Sequence, residues 1–485
     1  MDLAAVIIGG GPAGAVVGRL LATWGHSALV LEKDNGATGS RRGFSESIPP
    51  SARKLLDRSG VLADVDAAGF FRSTGNTVWW GSDERRVEQF AGDPPHGLQV
   101  FRPDFDRVLR ASAETAGATV RTGCTVRTVD VDADGARVVY ERNSARYVAR
   151  ARFVIDCSGR AGVLARRHRI PGVRTYALIG SWHTDHSWNL PDDTHTVVEA
   201  FPDGWAWSVP HAAAQRHVGV MFDGSSPAGG RRALVDAYRA TLARTTHLAR
   251  HLESATLHGV SACDASTYSS SQYGGGAFLL AGDAGSFIDP LSSFGVKKAL
   301  GSAWLASVVV NTCVRHAERQ PAALDFFADW ERDVSASYAE RSRAFARTAA
   351  ERHATPFWTR RATADVAPRP RTATVDERSM RAAFEQIQQA DGLDVTLDAQ
   401  LRLERRPVVK DREIVIEEAL PSGIRFVNNV DLLTLGRLAG QCRQVPELFE
   451  AYCRAAQPVP LPNVLTGLSL LVAKGFLVGK DMVRC

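Results

Sequence analysis

Gly9, Gly11 and Gly14 stand in a G-x-G-x-x-G spacing close to the start of the chain, with an acid, Glu32, further on. Residues of these types at this spacing can bind a dinucleotide. The first glycine permits a tight turn, the second lets backbone approach a pyrophosphate, and the third lets a helix pack on a strand. The N–H groups of a helix that starts around Ala13 would face the phosphates with a partial positive charge. An acid at the end of the next strand is placed to accept hydrogen bonds from a ribose.

The flanking residues supply the elements this chemistry needs. Ala4 to Ile8 is a short apolar run rich in β-branched residues and reads as a strand. Ala15, Val16, Val17, Leu20 and Leu21 give the apolar face of a helix, and Ala28 to Leu31 a second strand ending at Glu32. Asn35 to Pro50 is rich in glycine and arginine and reads as an extended loop, followed by a helix near Ser51 to Ser59. Strands are expected at Trp79-Trp80 and Val87 to Phe90, then around Val120, Val126 to Val131, Arg137 to Tyr140 and Tyr147 to Ala149. Residues 176–256 carry further strands and four of the ten tryptophans, and a long helical stretch is expected from Val296 to Thr348. Ala364 to Thr374, with Pro368-Arg369-Pro370, has no periodicity and reads as a linker.

Four further segments end or begin elements at points where a ligand can be met. Arg102-Pro103-Asp104-Phe105-Asp106 places an arginine at the head of a helix. Asp156-Cys157-Ser158-Gly159-Arg160 ends an apolar strand. Gly282-Asp283-Ala284 ends another, and Phe287 to Val296 (FIDPLSSFGV) then opens a helix. Asp283 there can hold a ribityl hydroxyl, and Gly295 permits a flat cofactor to approach the backbone. Gly204-Trp205-Ala206-Trp207-Ser208-Val209-Pro210 is the fourth, with His211 directly after it.

Composition narrows the class. The chain has 485 residues, 45% hydrophobic, enough for more than one core. Its net charge of +5 comes from arginine spread evenly, with only seven lysines (33, 54, 297, 298, 410, 474 and 480). No basic stripe interleaved with aromatics points to nucleic acid. Seven scattered cysteines, an odd number without a C-x-x-C pair, argue against zinc and a disulfide framework and for a reducing, cytoplasmic setting. No segment has the length and apolarity of a membrane span, and no signal peptide is expected.

Taken together, these motifs make the chain resemble the flavin-dependent halogenases and their monooxygenase relatives, within the group built like p-hydroxybenzoate hydroxylase. The resemblance covers about residues 1–350. Trp205-Ala206-Trp207-Ser208-Val209-Pro210 matches a W-x-W-x-I-P signature of halogenases, with Val209 in place of isoleucine. The resemblance implies FAD as cofactor. Gly9, Gly11, Ala13, Gly14, Glu32, Arg42, Arg102 and Asp283 would bind it, with Pro290, Gly295 and Val296 along the isoalloxazine ring. It implies an α/β fold: a Rossmann-type FAD-binding domain (1–75, 100–172 and 265–350) with an inserted β-sheet substrate domain (76–99 and 173–264). A linker (351–375) and a small winged-helix-like α+β domain (376–485) would follow.

One departure decides the expected chemistry. Flavin halogenases carry a lysine that takes up hypohalous acid, near an A-F-K-F-like segment. Here the comparable stretch, Phe70 to Trp80, has none, and there is no lysine between Lys54 and Lys297. Arg72 is a poor substitute, because guanidinium is delocalised and stays protonated. Phe294 also stands where halogenases tend to have a small residue. Oxygen transfer is therefore expected: FAD in its reduced form reacts with O2, and the resulting C4a-hydroperoxide attacks an indole or phenol ring. His211 is the candidate acid or base. Trp205 and Trp207 either line the substrate pocket or belong to the sheet core. Glu46, in a segment similar to the G-E-S of phenolic halogenases, is expected to act catalytically or to bind an arginine such as Arg42. Electrons would come from NAD(P)H, directly or through a partner flavin reductase.

Beyond about Leu401 the pattern is strands, then three helices, and it resembles the PqqD-like winged-helix domains that recognise peptides by strand addition. The aromatic substrate is then expected within a peptide or protein, on a tryptophan, as for the peptidyl-tryptophan hydroxylases of quinohaemoprotein amine dehydrogenase maturation. Three other readings stay open: a halogenase with an atypical halogen carrier, a geranylgeranyl-reductase-like flavin reductase, and a non-catalytic flavin-bound peptide-binding module.

Overall fold

A computed structural model describes residues 3–35, 43–91, 94–132, 135–224, 230–364, 399–421, 423–442 and 444–479. The chain divides into two compact units, residues 1–368 and 369–485.

The first unit is organised around an eight-stranded mixed sheet. Its parallel strands run in the order Phe278–Leu280, Ala145–Asp156, Leu3–Ile8, Ala28–Leu31 and Thr119–Arg121. Ala5, Val6 and Ile7 are fully buried, as befits a strand covered on both faces. Val6, Ile8, Leu29 and Leu31 pack against Val138, Tyr140 and Leu164 on one side. The helices Pro12–Thr23, Arg102–Thr115 and Gly295–Arg315 accompany this sheet, the first in contact with the other two. Register pairs Ile8 with both Leu31 and Asp156. Gly9, Glu32 and Cys157 therefore emerge together at the carboxyl edge, where open α/β sheets bind ligands.

A seven-stranded sheet is built in the order Thr256–Asp264, Tyr176–His183, Gln215–Phe222, Gly204–Ala212, Thr196–Phe201, Gly75–Trp79 and Arg86–Gln89. One cluster on it joins Trp79, Leu178, Trp182, Val218 and Val220 to Tyr238, Leu242 and Leu248 of two short helices. A separate cluster joins Ala177, Ala200, Trp205 and Met221 to Ala346, Ala349, Phe357 and Trp358. A small third sheet, Ser45–Ile48, Gly97–Phe101 and Phe71–Ser73, touches the strand Gly204–Ala212.

Three expectations need correcting. The stretch expected as an extended loop up to Pro50 contains a strand, Ser45–Ile48, because it pairs with Gly97–Phe101. The helical stretch is two helices, Gly295–Arg315 and Gln320–Arg352, because Pro321 fits a helix's first turn and not its interior. The segment 351–375 is not linker throughout. Arg352 ends the long helix, and a further helix, Pro356–Thr363, buries Phe357 and Trp358, whose indole N–H donates to Phe201 O at 2.9 Å. An apolar Phe-Trp pair on a short amphipathic turn is worth more buried than as a tether. Residues 365–398 lie outside the described ones.

The second unit contains the hairpin Glu404–Lys410/Glu413–Ala419, the short pair Phe426–Val427/Val430–Asp431, and the helices Leu432–Ala439, Val445–Ala455 and Leu461–Ala473. Its final strand, Leu477–Gly479, pairs with Ala399–Leu401. Leu432, Leu435, Val445, Leu448, Val464 and Leu468 form its core. No described helix in either unit is long and apolar enough to cross a membrane.

Candidate active site

The glycine loop has the geometry its spacing demands. Gly9 sits at φ +99°, and a Cβ there would lie 2.4 Å from Cys157 O. A Cβ at Gly14 would lie 1.8 Å from Gly9 O, so helix and strand meet there without room for a side chain. Gly11 differs: its backbone is ordinary (φ −72°, ψ −169°), and a Cβ would find nothing nearer than 3.7 Å. The atoms at that distance are Arg102 Nη2 and Asp106 Oδ2. Gly11 thus keeps a side chain out of the space beside the Arg102 guanidinium, room that a pyrophosphate would use. Ala13, on the first turn of the helix, is buried.

Glu32 is buried, its Oε2 accepting from Gly10 N at 2.6 Å and Oε1 from Asp34 N at 2.7 Å. Its carboxylate is locked against the loop at the strand end. Arg102 is gripped by two acids: Nη1 donates to Glu46 Oε1 at 2.6 Å and Nε to Asp106 Oδ1 at 2.9 Å. Burial alone would lower the guanidinium pKa, but Asp106 and Glu46 outweigh it and raise the pKa well above the usual value. The described partner of Glu46 is therefore Arg102. Arg42, the expected partner and cofactor residue, lies outside the described residues.

Asp283 follows the strand Phe278–Leu280 in a 3-10 turn, Gly282–Ala284. Its Oδ1 is buried without a hydrogen bond among the described residues, 3.5 Å from Lys298 Nζ. The rest of the carboxylate is partly exposed and available to a hydroxyl. Asp289 caps the turn Pro290–Ser292 by accepting from Leu291 N at 3.0 Å. Gly295 then opens the helix with no atom within 4 Å of a would-be Cβ, while Val296 is buried and would meet a cofactor through its backbone. A partly exposed Asp283 carboxylate, a glycine facing open space at 295 and a glycine in ordinary contact with an arginine at 11 fit a bound FAD.

The catalytic candidates separate. Trp205 is buried in the cluster of Ala200, Met221 and Trp358, so of its two expected places it occupies the sheet core and not a pocket wall. Trp207 is only partly buried, packing on the same cluster as Leu291 of the Pro290 turn. Its ring lies over Gly219, where a Cβ would come within 2.4 Å. His211 joins a ring stack the sequence did not reveal: it lies 4.7 Å from His217, and Phe101 is 5.9 and 6.2 Å from the two imidazoles. His217 Nδ1 is 2.7 Å from Ser45 Oγ, one residue from Glu46. Burial pushes the His217 pKa down to about 4, with His211 adding to the effect. Burial also lowers the His211 pKa, against the pull of a hydrogen bond with Gln215. His211 Nδ1 is buried without a hydrogen-bond partner among the described residues.

His217 could have been found by continuing the period-two pattern around the hairpin, which sets it opposite Val209, whereas nothing local signals Ser45. Nothing local signals the other missed residues, Lys298 and Glu331.

This loop, its acid and the second glycine-aspartate turn define a Rossmann-type flavoprotein. The chain belongs to the FAD binding domain family, whose model matches residues 2–307. Its cofactor is FAD, and its relatives are flavin-dependent oxidoreductases of the halogenase and monooxygenase kind. It is 27% identical to the tryptophan 2-halogenase of Chondromyces crocatus over 66% of this chain and 63% of that protein, so it spans less than two thirds of that relative's length. The fold is similar to that of CmlS, a flavin-dependent halogenase (TM-score 0.76, 23% identity, 99% of this chain and 96% of the other). It is also similar to QhpG, a peptidyl tryptophan dihydroxylase (TM-score 0.68, 23% identity, 98% and 100%).

Proposed function

We propose that this protein is an FAD-dependent monooxygenase that hydroxylates an electron-rich aromatic ring, an indole or phenol, carried in a peptide or protein. The observation that carries the reading is the strand Phe71–Ser73. Arg72 on it is exposed and lines an outer pocket of about 300 Å³ with Arg53, Asp66 and His96. Ser73, its buried neighbour, donates to Gly75 O at 3.2 Å. Neither residue offers a primary amine to carry an oxidised halogen. Of the two lysines in the first unit's later part, Lys298 is buried under the Asp283 turn, and Lys297 is hydrogen-bonded to Ser51 at 2.9 Å.

Bound and reduced, FAD supplies together with O2 an electrophilic oxygen atom, the second oxygen leaving as water. The chain's residues supply position and proton control. Arg102 and the loop N–H groups hold the pyrophosphate, and Asp283 the ribityl chain. Trp207 and Leu291 form apolar surface that excludes water. His211, kept neutral by burial, accepts the proton of the indole N–H or phenol O–H as the ring is attacked. His217 stays neutral and, through Ser45, fixes the stack on which His211 rests.

The fold likeness to a peptidyl tryptophan dihydroxylase extends over the whole chain, and the second unit carries helices and short strands of the kind that capture peptides, which supports a peptide-borne substrate. Cytoplasmic location and a partner flavin reductase belong to the same reading. The competing reading is a halogenase in which Lys297, 5.0 Å from the Phe294 ring centre, carries the halogen.

High-resolution mass spectrometry of a turnover mixture separates the two. The mixture holds the protein, FAD, a flavin reductase with NADH, O2 and bromide, with either free tryptophan or a tryptophan-bearing peptide. A gain of oxygen mass on the peptide, independent of bromide, is expected. A bromine isotope doublet overturns the reading, and oxidation of free tryptophan alone removes its peptide part.

A further inference from the structure

Beneath the Asp283 turn lies a set of charged and polar groups almost without contact with solvent. Lys298, one helical turn into Gly295–Arg315, is 3% exposed, and its Nζ donates to Gly282 O at 2.9 Å and to Ser286 O. Ser302, one turn further, accepts from Gly282 N at 2.8 Å and donates to Glu331 Oε1. Two residues four apart on one helix thus clamp the turn by both its N–H and its carbonyls. Gly282 in that turn has φ +64°, a conformation glycine adopts without strain. Glu331, on Gln320–Arg352, is fully buried, and its Oε2 has no hydrogen-bond partner among the described residues.

The charges in this cluster do not balance as simple pairs. Lys298 contributes one positive charge. Asp283, 3.5 Å away, and Glu331 can each contribute a negative one. Cys157 and Tyr273 also face Glu331, but burial raises the pKa of both and keeps them neutral. Burial pushes Glu331 up to about 7, against the pull of Lys298 and the Ser302 hydroxyl, with Asp283 adding to the rise. A buried carboxylate with one oxygen unpartnered is expensive to ionise.

We propose that Lys298 is the positioning residue of the cofactor site, fixing the Gly282–Ser286 turn and presenting Asp283 to FAD, and that Glu331 is a protonation-dependent counter-charge coupling FAD binding to proton uptake. The inference rests on the FAD assignment and not on the reaction catalysed. With Glu331 protonated, Lys298 and Asp283 neutralise each other beneath the site. With Glu331 ionised, one uncompensated negative charge lies under a ligand that carries a pyrophosphate. FAD then binds more weakly, and by reciprocity FAD binding draws a proton onto Glu331.

The experiment is titration of the refolded apoprotein with FAD, followed by flavin fluorescence at pH 6 and pH 8.5, with proton uptake measured calorimetrically in two buffers of different ionisation enthalpy at pH 7. In the wild type the FAD Kd is expected to rise about three- to fivefold between the two pH values, from one charge acting at moderate range in a protein-like dielectric, with fractional proton uptake on binding. Glu331→Gln keeps the acceptor for Ser302 and is expected to bind FAD with a flat pH profile and no uptake beyond background. Lys298→Met is expected to weaken binding at least tenfold at both pH values, and Lys298→Arg to restore part of it. A Glu331→Gln profile that matches the wild type overturns the counter-charge role, even if Lys298→Met fails to fold. Wild-type affinity in a folded Lys298→Met overturns the positioning role. Absence of FAD binding by the wild type would instead count against the cofactor assignment.

Discussion

Glycines that serve the protein and glycines that serve the ligand can be told apart by substituting Gly11 and Gly14 with alanine. Gly11 has an extended backbone that any residue adopts, and its new Cβ would sit in ordinary van der Waals distance, 3.7 Å, of Arg102 and Asp106. Gly11→Ala should therefore leave the apoprotein's Tm within about 2 °C of the wild type, since exchanging Gly for Ala at a helix N-cap costs a fraction of a kcal/mol to about 1 kcal/mol. The methyl group nevertheless fills the space through which a pyrophosphate reaches the loop. Losing one or two charge-assisted hydrogen bonds of about 1.5–3 kcal/mol each weakens FAD binding by roughly 10- to 20,000-fold. Gly14→Ala places a Cβ 1.8 Å from the carbonyl oxygen of Gly9, which is backbone and cannot rotate away. The helix must move outward by about 1 Å, at about 1–3 kcal/mol or more, and the Tm falls by several degrees even without cofactor. Thermal melts of both apoproteins, paired with FAD titrations, test the pair. A Gly11→Ala protein that holds FAD at wild-type affinity refutes the assignment of the open space to the phosphates. An apo-stable Gly14→Ala refutes the packing argument.

Replacing Arg102 with methionine strips the buried Asp106 of its main partner, and urea unfolding should show a loss of about 3–5 kcal/mol; a loss under 1 kcal/mol would mean that the triad is not structurally coupled. Trp205→Ala should cost about 3–5 kcal/mol as a core cavity, whereas Trp207→Phe should change stability little and act on substrate KM, a split that steady-state kinetics and melts together resolve. His217, with its pKa pushed to about 4 from the ordinary 6.5, favours the folded state while neutral. That stabilisation, at most about 3 kcal/mol, is complete above pH 6.5 and is lost as pH falls through that range toward 4, so His217→Gln should flatten the Tm-versus-pH curve between pH 6.5 and 4.5. Trp358→Ala should unfold the first unit at lower denaturant, because the helix Pro356–Thr363 is core and not tether; an unchanged urea midpoint would return it to the linker.

What the sequence by itself determined is what short-range rules encode. The glycine loop, its helix and Glu32 are legible because each glycine answers a steric demand made by neighbours within one strand-turn-helix unit. Arg102 with Asp106 is legible as an i, i+4 pair. The missing lysine is legible because absence needs no structure. The three helices among the second unit's described residues follow from apolar periodicity. Tertiary structure alone decided that Arg72 faces an outer pocket while Ser73 is buried, since one residue of register reverses a strand's faces. It alone joined Glu46 to Arg102, 56 residues away, and Ser45 to His217, 172 away. It alone placed Lys298 and Glu331 under Asp283. Such contacts form because separate elements bury their apolar faces together and carry a few polar residues along. The sequence records which faces are apolar, but not which polar residues that burial brings within hydrogen-bonding distance.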